Sequence, residues 1–227
     1  MKRLDQALVE RGLFDSREKA KRAVMAGVVE INGQLARKAS DAIKTTDELT
    51  VKEPEKYVSR GGLKLEHALD HFAIDPTGLV AIDVGASTGG FTDCLLQRGA
   101  KRVFAIDVGH GQLAWKLRQD ERVEVMEKTN ARELTPAHFG DVFEPFPLAV
   151  IDCSFISLRT ILPPAIDLIA PGGRLIPLIK PQFEAGKSEV DKGQGVIRDP
   201  AVHRRVLNEL QSFVSETLPV QWIGHVE

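Results

Sequence analysis

The sequence predicts an α/β protein with a doubly wound, mostly parallel sheet, preceded by a small α+β module. Short apolar runs rich in Val, Ile and Leu recur after residue 78 and are separated by helical stretches; they cover residues 79–84, 103–107, 123–126, 148–152 and 174–179. Continuous apolar runs are typical of strands covered on both faces, and alternation with helices indicates parallel pairing. A further strand is predicted at residues 220–223.

The first 52 residues follow a different pattern, which predicts two short helices and a small sheet. Ser16 is placed to cap the second helix, and Gly27 follows its end. Residues 28–33 predict a strand that enters an Asn-Gly hairpin turn. A charged, proline-containing stretch then predicts a linker. The expected organisation is therefore a module at 1–52, a linker at 53–60 and a second domain at 61–227.

The charge distribution, the cysteines and the apolar runs of the chain indicate its binding partner and its location. The chain of 227 residues has a net charge of −2, but residues 1–64 carry 14 Lys and Arg against 10 Asp and Glu, whereas the remainder carries 16 against 22. A basic N-terminal segment favours binding to a polyanion. The alternative is that its charged side chains are only solvated. The two cysteines lack metal-ligand spacing, so we expect no metal site and a reducing, cytoplasmic location. The absence of a long apolar run predicts no membrane span.

A glycine-rich segment at residues 83–91 (DVGASTGGF) follows the first predicted strand and opens a helix. A second acid, Asp107, ends the next strand, where ribose hydroxyls are commonly bound. Ser87 stands where a dinucleotide loop has its second glycine, and Asp83 would repel a pyrophosphate. Both features favour S-adenosylmethionine, which is positively charged, over NAD. A plain strand–turn–helix corner remains a third interpretation.

Several motifs taken together carry a family resemblance. Residues 4–40 resemble the S4 RNA-binding domain, with Leu4-Asp5, Ser16-Arg17, Gly27-Val28-Val29 and Asn32-Gly33 among the matching positions. The remainder resembles the TlyA (hemolysin A) family, which joins an S4 domain to an FtsJ-like methyltransferase domain. That resemblance is carried by residues 59–65 (SRGGLKL), 83–91 (DVGASTGGF), 151–158 (IDCSFISL) and 180–184 (KPQFE).

The resemblance implies a Rossmann-like class I methyltransferase that uses S-adenosylmethionine to methylate ribose 2′-hydroxyls of ribosomal RNA, with cytidine as the target. Its partner would be ribosomal RNA or a ribosomal subunit. A non-enzymatic RNA-binding factor with a vestigial cofactor pocket and a membrane-active hemolysin are the alternatives. The family's Lys–Asp–Lys–Glu tetrad places Lys64, Asp152 and Lys180 on its first three positions. The fourth, a glutamate on a C-terminal strand, has no match, so we expect the domain to be incomplete at that end.

The chemistry of methyl transfer gives these three residues separate roles. A ribose hydroxyl is a poor nucleophile, so a basic group must accept or steer its proton. Lys180 follows a buried apolar strand, and the second ammonium of Lys64 together with partial burial would make it easier to deprotonate. Asp152 would orient Lys180 and help to hold the cofactor's positive end. The alternatives are that Asp152 only caps the following helix, as Ser154 could, and that each lysine is simply solvated.

Two larger sets of binding residues are predicted. The cofactor set, in which Asn130 contacts adenine or else only shapes a turn, comprises Asp83, Gly85, Ser87, Thr88, Gly89, Gly90, Phe91, Asp107 and Asn130. The RNA set centres on the polar face of the helix that begins after Ser16, where basic side chains would contact phosphates. It comprises Ser16, Arg17, Lys19, Lys21, Arg22, Asn32, Lys38 and Arg60. Residues 186–199 are interpreted as a loop over the substrate, with an ordinary surface loop as the alternative.

Overall fold

The computed structural model describes residues 1–52, 55–140, 143–186 and 197–227. The chain divides into two compact units, Met1–Lys56 and Tyr57–Glu227, and the division falls inside the stretch predicted as a linker. Residues 53 and 54 of that stretch, and most of the predicted 186–199 loop, lie outside the described residues.

The N-terminal unit is built from two helices and two small antiparallel sheets. Helices α1 and α2 cover Leu4–Glu10 and Arg17–Met25. The strands are β1 (Lys2–Arg3), β2 (Val29–Ile31), β3 (Gln34–Leu35), β4 (Ala42–Ile43) and β5 (Leu49–Val51). Strand β2 lies between β3 and β5, and β1 pairs with β4. The predicted Asn-Gly turn is confirmed, because Asn32 and Gly33 both have positive φ and join β2 to β3.

A small apolar core and one buried carboxylate hold the N-terminal unit together. Ser16 caps α2 as predicted, since its hydroxyl accepts a hydrogen bond from the backbone N–H of Lys19. Asp5 is fully buried and forms ion pairs with Arg3 and Arg17 at 3.1 and 2.9 Å. The hydrogen bond from Arg3 is the main reason why the pKa of Asp5 falls to about 2. The apolar core comprises Leu4, Ala7, Leu8, Ala20, Val24, Val29 and Ile43.

The second unit contains a five-stranded sheet whose described pairings are all parallel. Its strands are β6 (Val80–Val84), β7 (Arg102–Ile106), β8 (Val123–Met126), β9 (Phe146–Ile151) and β10 (Ile169–Pro177). Their order is β10-β9-β6-β7-β8. The chain therefore builds outward from β6 through β7 to β8 and then crosses to the other side of β6. This reversal creates a topological switch point between β6 and β9, where ligands of such sheets bind.

Helices cover both faces of this sheet, as the continuous apolar strands predict. They are α3 (Gly61–His71), α4 (Gly90–Gln97), α5 (Trp115–Arg118), α6 (Leu158–Ile166), α7 (Pro181–Glu184) and α8 (Pro200–Thr217), with 3-10 turns at Ala131–Glu133 and Pro136–Phe139. Alternate strand residues enter different cores. Ala81 and Val150 pack with side chains of α3 and α4, whereas Ile82 and Ile151 pack with α6 and α8. The doubly wound α/β fold is confirmed.

One strand prediction is wrong. Residues 220–223 form no strand, although Val220 and Trp222 are half-buried against the core while Gln221 and Ile223 are exposed. The alternating pattern is therefore real, but a strand also needs a neighbour to accept its backbone hydrogen bonds. Among the described residues, the five-stranded sheet ends at β10 and this segment pairs with nothing. No helix in the described ranges is long and apolar enough to cross a membrane.

Candidate active site

The loop that follows β6 lies against the loop that follows β9, at the switch point of the sheet. A Cβ on Gly85 would lie 3.0 Å from the backbone of Asp152 and Cys153, and Gly85 has a φ of +85°. Gly89 has a φ of +95°, and a Cβ there would collide with Leu117. Glycine is therefore required at both positions, by conformation and by space.

Ser87 gives the loop a strained turn and anchors it to Asp107. Its φ of +50° is uncommon for a residue with a Cβ. Its backbone N–H donates to Asp107 Oδ2 at 2.8 Å, and the N–H of Gly109 donates to Asp107 Oδ1 at 2.7 Å. The backbone carbonyl of Thr88 accepts from Ala114 at 3.1 Å. Asp107 thus holds the loops after β6 and β7 together at the carboxyl ends of these strands.

Asp83 is a fully buried carboxylate beneath the glycine-rich loop. Its Oδ2 accepts hydrogen bonds from the backbone N–H and the hydroxyl of Thr92, at 2.9 and 2.6 Å. Its Oδ1 is buried without a hydrogen-bond partner among the described residues. Burial raises the pKa of Asp83 to about 7, and the hydrogen bonds from Thr92 oppose that rise. An unpartnered buried carboxylate oxygen suits a nearby positive charge, as the sequence argument for Asp83 requires.

Lys180 and Asp152 form an ion pair at the ends of β10 and β9. Lys180 Nζ lies 2.6 Å from Asp152 Oδ1, and the two side chains are 17% and 25% exposed. The same ammonium donates to the Ser154 hydroxyl at 2.8 Å and to the Asp152 backbone carbonyl at 3.3 Å. The ammonium therefore makes two hydrogen bonds and one ion pair, and Asp152 Oδ1 itself accepts no hydrogen bond from a described residue. The structure therefore brings two of the three predicted catalytic residues into direct contact.

The alternative role of Asp152 as a helix cap is not observed. Helix α6 is capped by Ser157, whose hydroxyl accepts from the N–H of Arg159 at 3.1 Å. Glu184 supplies a second acceptor, since its carboxylate accepts from the Ser157 hydroxyl at 2.6 Å and from the N–H of Leu158 at 2.7 Å. Ser154 does not cap the helix either, because its hydroxyl faces Lys180. Asp152 is left to interact with Lys180.

Lys64, the third predicted catalytic residue, makes no hydrogen bond or ion pair with Asp152 or Lys180. Helix α3 begins beside Asp152, since a Cβ on Gly61 would lie 3.7 Å from Asp152 Oδ2. Lys64 is one turn further along α3 and is exposed. The structure gives it no hydrogen bond or ion pair with a described residue. Its predicted influence on Lys180 stays a prediction.

The thiol beside this site does not offer an alternative nucleophile. Cys153 directly follows Asp152, and its Sγ lies 3.6 Å from the backbone carbonyl of Val84. Burial is the main cause that raises the pKa of Cys153 to about 12, so the group stays protonated near neutral pH.

Phe155, the exposed aromatic residue of the same loop, was not among the site residues predicted from the sequence. Its side chain is 89% exposed and its φ is +62°, which strains a residue of this size. Its ring lies 5.1 Å from the ring of Phe183, and Lys180 Nζ lies 5.9 Å from the Phe183 ring. The available signal was an aromatic residue in the loop at the carboxyl end of a buried strand. An exposed ring held beside a polar pair is suited to stacking on a planar ligand.

Three of the predicted cofactor contacts find less support. Phe91 is only 4% exposed and belongs to the apolar core, and Gly90 is buried beneath the Ser59 hydroxyl. Both residues shape the start of α4, so burial argues against a direct contact with the cofactor. The Asn130 side chain accepts from Arg132 N–H at 3.2 Å and donates to Glu133 at 2.8 Å. These bonds correspond to the alternative in which Asn130 forms a turn.

Seven of the eight predicted RNA contacts lie in the N-terminal unit, and several of them have structural partners. Arg17 pairs with the buried Asp5, and Lys19 pairs with Asp15 at 2.6 Å. The Asn32 amide donates to Asp47 and accepts from the N–H of Glu48, which braces the hairpin. Asn32 therefore has a structural role that its sequence position did not reveal.

The remaining basic residues of this set are free of such bonds. The structure gives the side chains of Lys21, Arg22 and Lys38 no partner among the described residues, and Arg22 and Lys38 are exposed. Arg60 is exposed in the second unit, where it precedes α3. These four residues are the basic side chains best placed to contact phosphates.

Comparison with known proteins matches both units. A family model described as S4 domain matches residues 2–49, and a model described as FtsJ-like methyltransferase matches residues 57–219. The "Putative rRNA methyltransferase YqxC" of Bacillus subtilis is 56% identical over 93% of this chain and 74% of its own length. The "16S/23S rRNA (cytidine-2'-O)-methyltransferase TlyA" of Mycobacterium tuberculosis is 49% identical over 89% of this chain and 75% of its own.

Other relatives carry a hemolysin name. "Hemolysin A" of Brachyspira hyodysenteriae is 44% identical over 93% of this chain and 87% of its own length. A solved structure, "Putative hemolysin from Streptococcus thermophilus", is 47% identical, covers 93% of this chain and 77% of that one, and has a TM-score of 0.68. These matches and the parallel sheet agree with the motifs at residues 83–91, 151–158 and 180–184. The chain belongs to the TlyA (hemolysin A) family, in which an S4 domain precedes an FtsJ-like methyltransferase domain.

Proposed function

We propose that this protein transfers a methyl group from S-adenosylmethionine to a ribose 2′-hydroxyl of ribosomal RNA, with cytidine as the target nucleotide. The relative from M. tuberculosis is named for that reaction. The observation that carries the proposal is the Lys180–Asp152 ion pair, which lies next to the glycine-rich loop at the switch point of the sheet. Ribosomal RNA or a ribosomal subunit is the proposed partner.

The residues around the glycine-rich loop fit the cofactor. Gly85, Ser87 and Gly89 turn the backbone tightly, and Asp107 lies at the end of the adjacent strand, where it can bind ribose hydroxyls. The unpartnered Oδ1 of Asp83 adds negative character beneath the loop. When bound, S-adenosylmethionine supplies a methyl group on a positively charged sulfur. Asp83 would repel a pyrophosphate, which favours this cofactor over NAD, whereas Asp107 suits the ribose of either.

Lys180 is the residue proposed to handle the proton of the hydroxyl. In the structure its Nζ donates hydrogen bonds to the Asp152 carbonyl and to Ser154 Oγ, and it forms an ion pair with Asp152 Oδ1. A neutral amine has two N–H donors and one lone pair, so one of these contacts is given up when Lys180 acts as a base. Ser154 is exposed, and its position is the one a substrate hydroxyl can replace. Asp152 keeps Nζ in place and stabilises the ammonium that forms.

Phe155 completes the acceptor side of the proposed site. Its exposed ring is a platform on which the base of the target nucleotide can stack. A target nucleotide that leaves its stack loses stacking energy, and an aromatic surface offsets part of that cost. The basic residues Lys21, Arg22 and Lys38 would add phosphate contacts from the N-terminal unit.

A direct assay tests the proposal. The protein is incubated with S-adenosylmethionine carrying a labelled methyl group and with ribosomal subunits that lack the modification. The RNA is then digested to nucleosides for mass spectrometry. We expect 2′-O-methylcytidine to appear with this protein and to be strongly reduced with the Lys180→Met variant. Binding to the RNA without any labelled nucleoside would instead identify a non-enzymatic RNA-binding factor. Label on a base rather than on a ribose would contradict the proposed reaction.

A further inference from the structure

The segment from Lys180 to Glu184 contacts the loop after β9 at a second place, in addition to the Lys180–Asp152 pair. The loop between β9 and α6, residues 152–157, is here called the β9–α6 loop. Lys180 binds its first half, through Asp152 and Ser154. Glu184, four residues after Lys180, binds its other end through the Ser157 hydroxyl at 2.6 Å and the Leu158 N–H at 2.7 Å. The segment from Lys180 to Glu184 therefore holds the loop at both ends.

The middle of this loop needs such support. Phe155 has a φ of +62° and is almost fully exposed, so neither its conformation nor burial favours the position that it occupies. A strained residue of this kind persists only when its surroundings determine the backbone on both sides. The contact of Phe155 with Phe183, which belongs to the same segment as Glu184, adds a third link.

Glu184 is also suited to its position by charge. A carboxylate at the N-terminus of a helix satisfies free backbone N–H groups and interacts favourably with the helix dipole. Both of its oxygens are engaged, Oε1 by Leu158 and Oε2 by Ser157. Its hydrogen bonds go to the end of the loop and the start of α6, so its effect on the site is expected to pass through the loop.

We propose that Glu184 is a positioning residue for methyl transfer, which holds the β9–α6 loop so that Asp152 meets Lys180 and Phe155 stays exposed. This inference rests on the proposed function and deepens it. Without Glu184, the loop can relax around Phe155, and the Asp152 carboxylate moves relative to Nζ. A displacement of about 1 Å in a reacting group can reduce turnover by roughly 100-fold.

The main test compares Glu184→Ala with a matched control. Asp75→Ala also removes a carboxylate that accepts a backbone N–H bond, from Thr77 at 2.9 Å, but Asp75 precedes β6 at the opposite end of the strands. We expect Glu184→Ala to lower kcat by about 10-fold to 100-fold, with the KM for S-adenosylmethionine and the affinity for RNA within about threefold of the wild type. Asp75→Ala should keep the wild-type kcat. An unchanged kcat in a folded Glu184→Ala protein would overturn the proposal.

Conservative variants separate positioning from a general loss of structure. In Glu184→Gln, the amide oxygen can accept from Leu158 and the amide N–H can donate to Ser157, so most of the kcat should return. Ser157→Ala removes one of the two contacts and should give an intermediate kcat. Equal losses in Glu184→Gln and Glu184→Ala would show that the charge, and not the geometry of the loop, is what matters. These two variants also carry the test if Glu184→Ala does not fold.

Hydrogen exchange provides a readout that needs no methyl transfer. The Leu158 amide is protected by Glu184 in the structure. A peptide that spans residues 152–160 should therefore exchange faster in Glu184→Ala than in the wild type or in Asp75→Ala, while a peptide from β6 should be unchanged. Unchanged exchange in residues 152–160 would refute the positioning role. Absence of methyl transfer by the wild type would refute the proposed function instead, so the two failures are distinguishable.

Discussion

Replacement of Lys180 by methionine or arginine tests the chemistry of the site most directly. Methionine has a similar length and an apolar side chain, so it suits the end of a buried strand. Lys180→Met removes the ion pair with Asp152 and the hydrogen bond to Ser154. Lys180→Arg keeps a positive charge that can pair with Asp152, but a guanidinium stays protonated and cannot act as a base.

The structure sets the expected size of each effect. The ion pair is neither fully buried nor fully exposed, at 17% and 25% exposure of its two side chains. Its loss in Lys180→Met should therefore cost about 1–2 kcal/mol of unfolding free energy, between the values for surface and buried pairs. That is less than the total stability of an ordinary domain. Loss of proton handling should reduce the rate by roughly 100-fold to 10,000-fold, or about 3–5 kcal/mol of activation free energy.

The assay is single-turnover methyl transfer to ribosomal subunits, combined with urea unfolding and calorimetric binding of S-adenosylhomocysteine. Lys101→Met serves as the control, because Lys101 is exposed and precedes β7, at the opposite end of the strands. We expect both Lys180 variants to bind the cofactor product within about tenfold of the wild type, and both to lose transfer. Normal transfer by Lys180→Arg would refute the role of Lys180 as a base and leave orientation as the source of catalysis.

Three other predictions follow from the surrounding residues. Burial raises the pKa of Asp83 to about 7 in the folded state, above the ordinary 3.8, so ionisation of Asp83 destabilises the cofactor-free fold as pH rises from about 4 to 7. Over that range the free energy of unfolding of the wild type, measured in urea, should fall by on the order of 4 kcal/mol relative to Asp83→Asn. A difference in unfolding free energy that does not vary with pH would contradict the effect of burial on Asp83. Lys21→Glu combined with Arg22→Glu should weaken RNA binding and leave cofactor binding unchanged. The slope of log K for RNA binding against log salt concentration should fall by roughly one per lost phosphate contact. An unchanged slope would show that the RNA binds elsewhere. Arg17 is left out of that variant because it pairs with the buried Asp5, so reversing its charge would also destabilise the N-terminal unit. Phe155→Ala should lower methyl transfer by about fivefold to 150-fold, from 1–3 kcal/mol of lost stacking, while Phe155→Trp should retain most of it. Equal transfer by Phe155→Ala and the wild type would exclude stacking on this ring.

The sheet could be predicted from the sequence because each of its strands contains a short segment rich in Val, Ile or Leu, although Glu124 interrupts β8 and glycines interrupt β10. Such runs are distinctive when both faces of a strand are covered. The two-residue strands β1 and β4 were not predicted, since two residues carry no periodic pattern. Residues 220–223 show the opposite error, in which the alternation of Val220 and Trp222 was correct but gave no information about a pairing partner.

The site was predictable where a residue directly follows a strand. Asp152 and Lys180 could be placed at the same edge of the sheet because parallel strands end together. The roles of Ser154, Phe155 and Glu184 could not be predicted, because they depend on contacts between loops that are about 26 residues apart in the chain. The burial of Asp5 was also missed, although its ion pair gives Arg17 of α2 a structural role.

The close approach at Gly85 connects the glycine-rich loop to the residues proposed to handle the proton. The backbone of Asp152 and Cys153 lies 3.0 Å from the position of a Cβ on Gly85, so the two loops are in backbone contact. Any side chain at Gly85 must displace the start of the β9–α6 loop or the turn of the glycine-rich loop. The packing that shapes the glycine-rich loop thus also fixes the backbone from which the Asp152 side chain reaches Lys180. Because these are contacts between backbones, the distance between the two halves of the proposed site does not depend on the rotamer of any side chain. Backbone packing of this kind supports the positioning that the proposed methyl transfer requires of a site assembled from loops.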